Sequence, residues 1–180
     1  MINPLSFVQF LFLAGLLSLA VASDLRSRTI PNAITIPGLL AGLVLGALMQ
    51  GGVPTSALLG AGLALLVGFP LFALGGLGAG DVKLFMAVGA FVGPGGLFSV
   101  LIYGGLAGGV LALASAVRRG ALLSLLRNTL DLLLHWFTGG RIGKRLDLQA
   151  EEAHTIPYGL AIAAGGLLAW FFPFSLGGLL

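Results

Sequence analysis

The sequence predicts an all-α fold: a polytopic bundle of about six transmembrane helices with a cytoplasmic amphipathic helix, formed as one domain over residues 1–180. Three observations lead there. Hydrophobic residues make up 58% of the chain and charged residues 8%, too few polar groups to cover a soluble domain. The apolar runs are long enough for membrane-spanning helices rather than barrel strands. The 30 glycines suit helices that approach closely through small residues in lipid. Cysteine is absent, so a disulfide framework and a cysteine-ligated metal site are excluded. The net charge of +3 matters less than where the basic residues fall. No nucleic acid, metal or cofactor is expected.

The first span covers residues 5–22 and ends in Ser23-Asp24-Leu25-Arg26-Ser27-Arg28. Ala20-Val21-Ala22 resembles a signal-peptide cleavage site, but the first basic residue is Arg26. Charges follow the apolar run instead of preceding it, which favours a retained helix. The second span follows Thr29-Ile30-Pro31-Asn32 and runs to about residue 49; the third covers about 57–74. The fourth, about 81–92, is short for a full crossing and is broken by Gly93-Pro94-Gly95-Gly96. The fifth covers about 97–117. Residues 118–152 form the only extended polar region. Its leucines, from Leu122 to Leu134, recur at helical spacing beside Arg127 and Asp131, as in an amphipathic surface helix. The last span covers about 155–172, with aromatic residues from Trp170 to Phe174 as its anchor. The Gly38/Gly42 and Gly104/Gly108 pairs read as helix-packing positions.

All nine basic residues fall in segments that this alternation places on one side. The positive-inside rule makes that side cytoplasmic and puts both termini outside. All six carboxylates lie on that side too.

An ionisable group at membrane depth is a functional-site candidate, and two acids are so placed. Asp24 closes the first span; Asp81, in Leu77-Gly78-Ala79-Gly80-Asp81-Val82-Lys83, opens the fourth. If those helices pack together, two carboxylates can face each other across one water and share a proton. Such a pair activates water against a peptide carbonyl and then protonates the leaving amine. The dipoles favour Asp81, at a helix N-terminus, as the anion, and Asp24, at a C-terminus, as the holder of the proton. Structural readings stand beside this one. Asp24 can be a polar stop paired with Arg26 or Arg28, and Asp81 a capping carboxylate. Gly78 and Gly80 can be turn glycines, Lys83 a snorkelling interfacial lysine, and Pro157-Tyr158-Gly159 a break with an aromatic anchor. His135 and His154 have no ligand set around them.

Gly78-Ala79-Gly80-Asp81 resembles the glycine-x-glycine-aspartate motif of membrane aspartyl proteases. Together with Asp24, the Ile30-Pro31-Asn32 element, Val82-Lys83-Leu84 and Ile156-Pro157-Tyr158-Gly159, it resembles the prepilin peptidases, the small Flp/Tad-type ones in particular. The resemblance runs from Asp24 to Gly166. Presenilin-like proteases share only the glycine-aspartate motif, and archaeal preflagellin peptidases are further possible relatives. The resemblance implies catalytic roles for Asp24 and Asp81 in an aspartic-type endopeptidase of pilus biogenesis and protein secretion. Supporting or substrate-binding roles fall to Gly78, Gly80, Lys83, Pro31, Asn32, Pro157, Tyr158 and Gly159. It also implies cleavage of the basic leader of a prepilin or pseudopilin precursor at the cytoplasmic membrane face. The larger bifunctional enzymes carry an extra cysteine-bearing N-terminal region linked to N-methylation; with no cysteine here, that activity is not carried over. Asp147, Glu151 and Glu152 are expected to attract the basic leader, and Lys83 to meet an acidic residue of the substrate. The glycines beside Asp81 are expected to let a substrate backbone approach the carboxylate. A proton- or cation-coupled transporter subunit and a non-catalytic pilus or secretion assembly subunit remain open alternatives.

Overall fold

The computed structural model describes residues 4–118, 120, 123, 127, 130 and 158–173. The described residues are helical, without a strand. The helices are α1 (Pro4–Ser27), α2 (Asn32–Gln50), α3 (Thr55–Ala73), α4 (Ala79–Arg118) and α5 (Tyr158–Phe171). Two compact units divide the chain: Met1–Gly108 with Pro157–Leu180, and Gly109–Ile156. The first carries the candidate site. In the second, the last turns of α4 are followed by helical Leu123, Arg127 and Leu130. The rest of the expected amphipathic helix lies outside the described residues, as do His135, Asp147, Glu151, Glu152, His154 and Pro157.

Helix boundaries follow local chemistry. Pro4 sits in the first turn of α1, where its missing N–H costs no helical bond. The helix ends where Arg28 turns to φ 56, uncommon for a residue with a side chain. The turn is held by the Arg28 N–H on the Asp24 carbonyl (2.9 Å) and by the Ser23 hydroxyl on the Thr29 carbonyl (2.8 Å). Pro31 then starts α2 in an extended conformation, and its carbonyl accepts the Ile34 N–H at 3.0 Å. Gly51, at φ 66, closes α2 with a left-handed cap.

The 40 residues of α4 are not one straight rod. Gly93 is non-helical (φ 68, ψ −178) and Pro94 follows it. Gly166 of α5 packs against Val88, while neighbouring Gly165 packs against Val100 and Gly104. In a straight helix Val88 and Val100 would lie about 18 Å apart, so the chain reverses at Gly93. The expected fourth and fifth spans are thus the two arms of α4. A clasp secures the break: the buried Gln9 side chain of α1 donates to the Phe91 carbonyl at 2.9 Å.

Helices α1 and α5 run antiparallel. Asp24 meets Gly159, Leu17 meets Gly166, and Phe10 meets Trp170 and Phe171 at ring-centroid distances of 5.8 and 5.3 Å. Between them lies the core, with Leu13, Leu17, Leu84, Val88 and Val100 fully buried. Gly38 packs on Leu16, Gly42 on Ala90 and Phe91, and Gly104 and Gly108 on Ala161. Gly60 of α3 crosses Gly89 of α4 so closely that a Cβ on either would strike the other's carbonyl. Leu19, Leu66 and Leu106 are each at least 60% exposed, a surface suited to lipid. Among the described residues, α1 to α4 are long and apolar enough to cross a membrane; α5, with 14 residues, is shorter. The count of about six crossings therefore remains a sequence expectation.

Candidate active site

Asp24 is only 6% exposed, so its carboxylate needs partners. One is the Gly159 N–H, 3.0 Å from Oδ2. Gly159 is the second residue of α5, where a backbone donor has no acceptor within the helix. The approach depends on the missing side chain: a Cβ at Gly159 would sit 2.8 Å from Asp24 Oδ2 and 3.1 Å from Ile30 Cδ1. Although Asp24 belongs to the end of α1, its carboxylate thus occupies the N-terminus of α5.

Asp81 is the third residue of α4. The Val82 N–H bonds the Gly78 carbonyl at 3.1 Å, which makes Gly78 the N-cap. Asp81 Oδ2 in turn accepts the Gly78 N–H at 3.1 Å, the reach-back half of a capping box. Both carboxylates therefore sit at helix N-termini, where an anion is favoured. The expected asymmetry, in which only Asp81 enjoyed that field, loses its basis. Its premise was the end of α1 alone, and α5 supplies the opposing dipole.

Asp24, Asp81, Arg28, Lys83, Asn32 and Gly78 line one cavity of about 440 Å³. The two carboxylates are within electrostatic reach of each other, and Arg28 acts on Asp24. Two acids and two bases leave the cavity formally neutral. Lys83 donates to the Asn32 side-chain oxygen at 2.8 Å, tying the start of α2 to the first turn of α4. Gly80 does something other than expected. A Cβ there would lie 2.7 Å from the Ile30 carbonyl oxygen and 3.3 Å from its nitrogen, so the space read as room for a substrate backbone holds the protein's own. Its role is to seat the α1–α2 loop against α4. Gly78 likewise serves Asp81, whose Oδ2 would lie 2.8 Å from a Cβ.

The cavity thus brings together Asp24, Pro31, Asn32, Gly78, Gly80, Asp81 and Lys83; Gly159 joins through its hydrogen bond. Tyr158 opens α5 beside it, and Pro157 lies outside the described residues. Ile30, buried against Gly80 and Gly159, is a supporting residue that was legible only as part of its motif. Chemically, two acids in reach of each other, one of them buried, can divide the tasks of taking a proton from water and returning one to a leaving group.

The model of the type IV leader peptidase family matches residues 11–113, which include both aspartates and all of the loop between α1 and α2. Over 131 residues, 69% of the chain, the sequence is 31% identical to the prepilin leader peptidase/N-methyltransferase of Myxococcus xanthus (strain DK1622). The matched region spans 39% of that relative's length. No solved structure matches the chain. With more than half of its length matched by the family model, the chain belongs to the type IV leader peptidase family.

Proposed function

We propose that this chain is a membrane-embedded aspartic endopeptidase. It removes the basic leader from prepilin-like precursors at the cytoplasmic face of the bacterial inner membrane, with Asp24 and Asp81 as a catalytic dyad. The observation that carries the reading is the convergence of these two acids, 57 residues apart in sequence, on one cavity. Family membership supplies the reaction class. The sidedness draws on Arg26, Arg28 and Lys83, which cluster at the same helix ends as the acids.

In this mechanism one carboxylate takes a proton from water while the other, protonated, donates a hydrogen bond to the scissile carbonyl. The water oxygen attacks the carbonyl carbon, and the carbonyl oxygen takes up the negative charge of the tetrahedral intermediate. As the C–N bond breaks, the first acid returns its proton to the departing amine. The start of α5 and the N-cap of α4 hold the carboxylates through backbone N–H groups, which orient them without consuming side chains. With one acid protonated, Arg28 and Lys83 outnumber the remaining carboxylate, so attraction of a basic leader falls to Asp147, Glu151 and Glu152.

The test is reconstitution of the purified chain in lipid with a precursor that carries a basic leader and an apolar helix. N-terminal sequencing of the product should show loss of the leader, and Asp81→Asn should abolish it. A precursor left intact by the wild-type chain would refute the proposed activity.

A further inference from the structure

Hydrolysis of a peptide bond creates two charges that the substrate did not carry. The leader acquires a carboxylate at its new C-terminus, and the remaining chain acquires an ammonium at its new N-terminus. A site made of two acids alone would suit the ammonium and repel the carboxylate. The charged residues that line this cavity are Asp24, Asp81, Arg28 and Lys83. With one proton held by the acids, two cations face one carboxylate. The cavity then carries a net positive charge, which suits the anionic product.

Of the two cations, Lys83 is engaged with Asn32 at 2.8 Å, where it ties two helices together. Arg28 is placed differently. It is the first residue beyond α1, it is exposed beside the buried Asp24, and it acts on that carboxylate electrostatically. Its backbone stands at φ 56, a conformation that glycine would adopt at less cost. The flanks of Arg28 hold it there. The Ser27 hydroxyl donates to the Ser23 carbonyl at 2.9 Å and lies 3.1 Å from the Thr29 hydroxyl, and the Ser23 hydroxyl donates to the Thr29 carbonyl at 2.8 Å. Three hydroxyl side chains thus brace a strained position that carries an arginine into the wall of the cavity. Arg26, in the same turn, is not among the lining residues.

We propose that the Arg28 guanidinium binds the carboxylate that hydrolysis leaves at the C-terminus of the released leader. The proposal rests on the peptidase reading and names how that site receives its product. A guanidinium has five N–H donors, so it can serve Asp24 and a second carboxylate together. Its forked geometry matches a carboxylate better than an ammonium does. The ammonium formed on the other product is left to the ionised member of the dyad, so each new charge meets its opposite.

The test compares two synthetic leader peptides of one sequence, one ending in a carboxylate and the other in an amide. Their binding to the protein in lipid is measured at pH 7, where a terminal carboxylate is ionised. Wild type should bind the acid about tenfold more tightly than the amide, equivalent to about 1.4 kcal/mol. Arg28→Met should remove that preference, and Arg28→Lys should keep part of it. Arg28→Gly should remove it as well while raising the unfolding midpoint, because glycine relieves the positive φ. That variant separates loss of the side chain from loss of the fold. Equal binding of acid and amide by wild type would overturn the proposal, and so would a preference that survives in Arg28→Met or Arg28→Gly. Loss of the preference in Lys83→Met as complete as in Arg28→Met would also overturn it, since net charge rather than Arg28 would then be responsible. Neither peptide has to be cut. Failure of wild type to process a precursor would therefore refute the peptidase reading, while the acid–amide comparison decides the role of Arg28 separately.

Discussion

Gly159→Ala perturbs the candidate site through a residue that is not an acid. The added methyl would stand 2.8 Å from Asp24 Oδ2, 3.1 Å from Ile30 Cδ1 and 3.2 Å from Asp24 Cβ. Carbon and oxygen do not tolerate that approach, so the carboxylate must retreat by about 0.5 Å, since interiors are close-packed and give little. The hydrogen bond from the Gly159 N–H, at 3.0 Å, then stretches towards the limit of useful geometry. Bonds to charged groups contribute about 1.5–3 kcal/mol, and a misplacement of about 1 Å in a reacting group can cost about 100-fold. We therefore expect leader cleavage to fall about 10- to 100-fold. Stability should fall by only about 1 kcal/mol, because the two nearest crowded atoms, Asp24 Oδ2 and Ile30 Cδ1, are ends of side chains that can turn aside. The assay is cleavage by the purified variant beside its unfolding in detergent. Gly166→Ala is the control on the same helix: its methyl would lie 3.3 Å from Leu17 and Val88 side chains and far from Asp24, so cleavage should persist. Wild-type cleavage by Gly159→Ala would refute the idea that the start of α5 sets the position of the Asp24 carboxylate.

At Gly80 the crowded atoms are backbone, so Gly80→Ala should act first on stability, lowering it by about 1–3 kcal/mol in the same unfolding experiment, with activity lost as the α1–α2 loop shifts. Gln9→Leu removes the buried donor to the Phe91 carbonyl; interhelical hydrogen bonds in membranes contribute about 0.6 kcal/mol on average. A small fall in unfolding midpoint is expected there, with cleavage by the folded protein unchanged. The Lys83–Asn32 hydrogen bond is exposed, so a double-mutant cycle with Lys83→Met and Asn32→Leu should give a stability coupling below about 1 kcal/mol.

The parts legible in the sequence were those in which chemistry contradicts its surroundings. Asp24 and Asp81 stand out because acids at the ends of apolar runs are costly, and Gly93-Pro94 announces a break because neither residue continues a helix well. The all-helical architecture followed from the length of the apolar runs. What stayed hidden was contact across long stretches of chain. The Gly159–Asp24 bond spans 135 residues, and nothing in local pattern says that α5 begins against the end of α1. The same blindness misassigned the dipoles, since Asp24 was paired with the helix that carries it and not with the helix that meets it. Gly80 was legible as a glycine that something must approach, but not as the seat of Ile30, because approach by protein and approach by substrate demand the same residue.

The central claim is that Asp24 and Asp81 work as one unit, and the most direct measurement is a double-mutant comparison of precursor cleavage. Wild type, Asp24→Asn, Asp81→Asn and the double variant are compared at equal folded concentration in lipid. Residues that act as a unit are strongly non-additive, so each single variant should be as inactive as the double. Wild-type cleavage by either single variant, or losses that simply multiply in the double, would contradict the dyad.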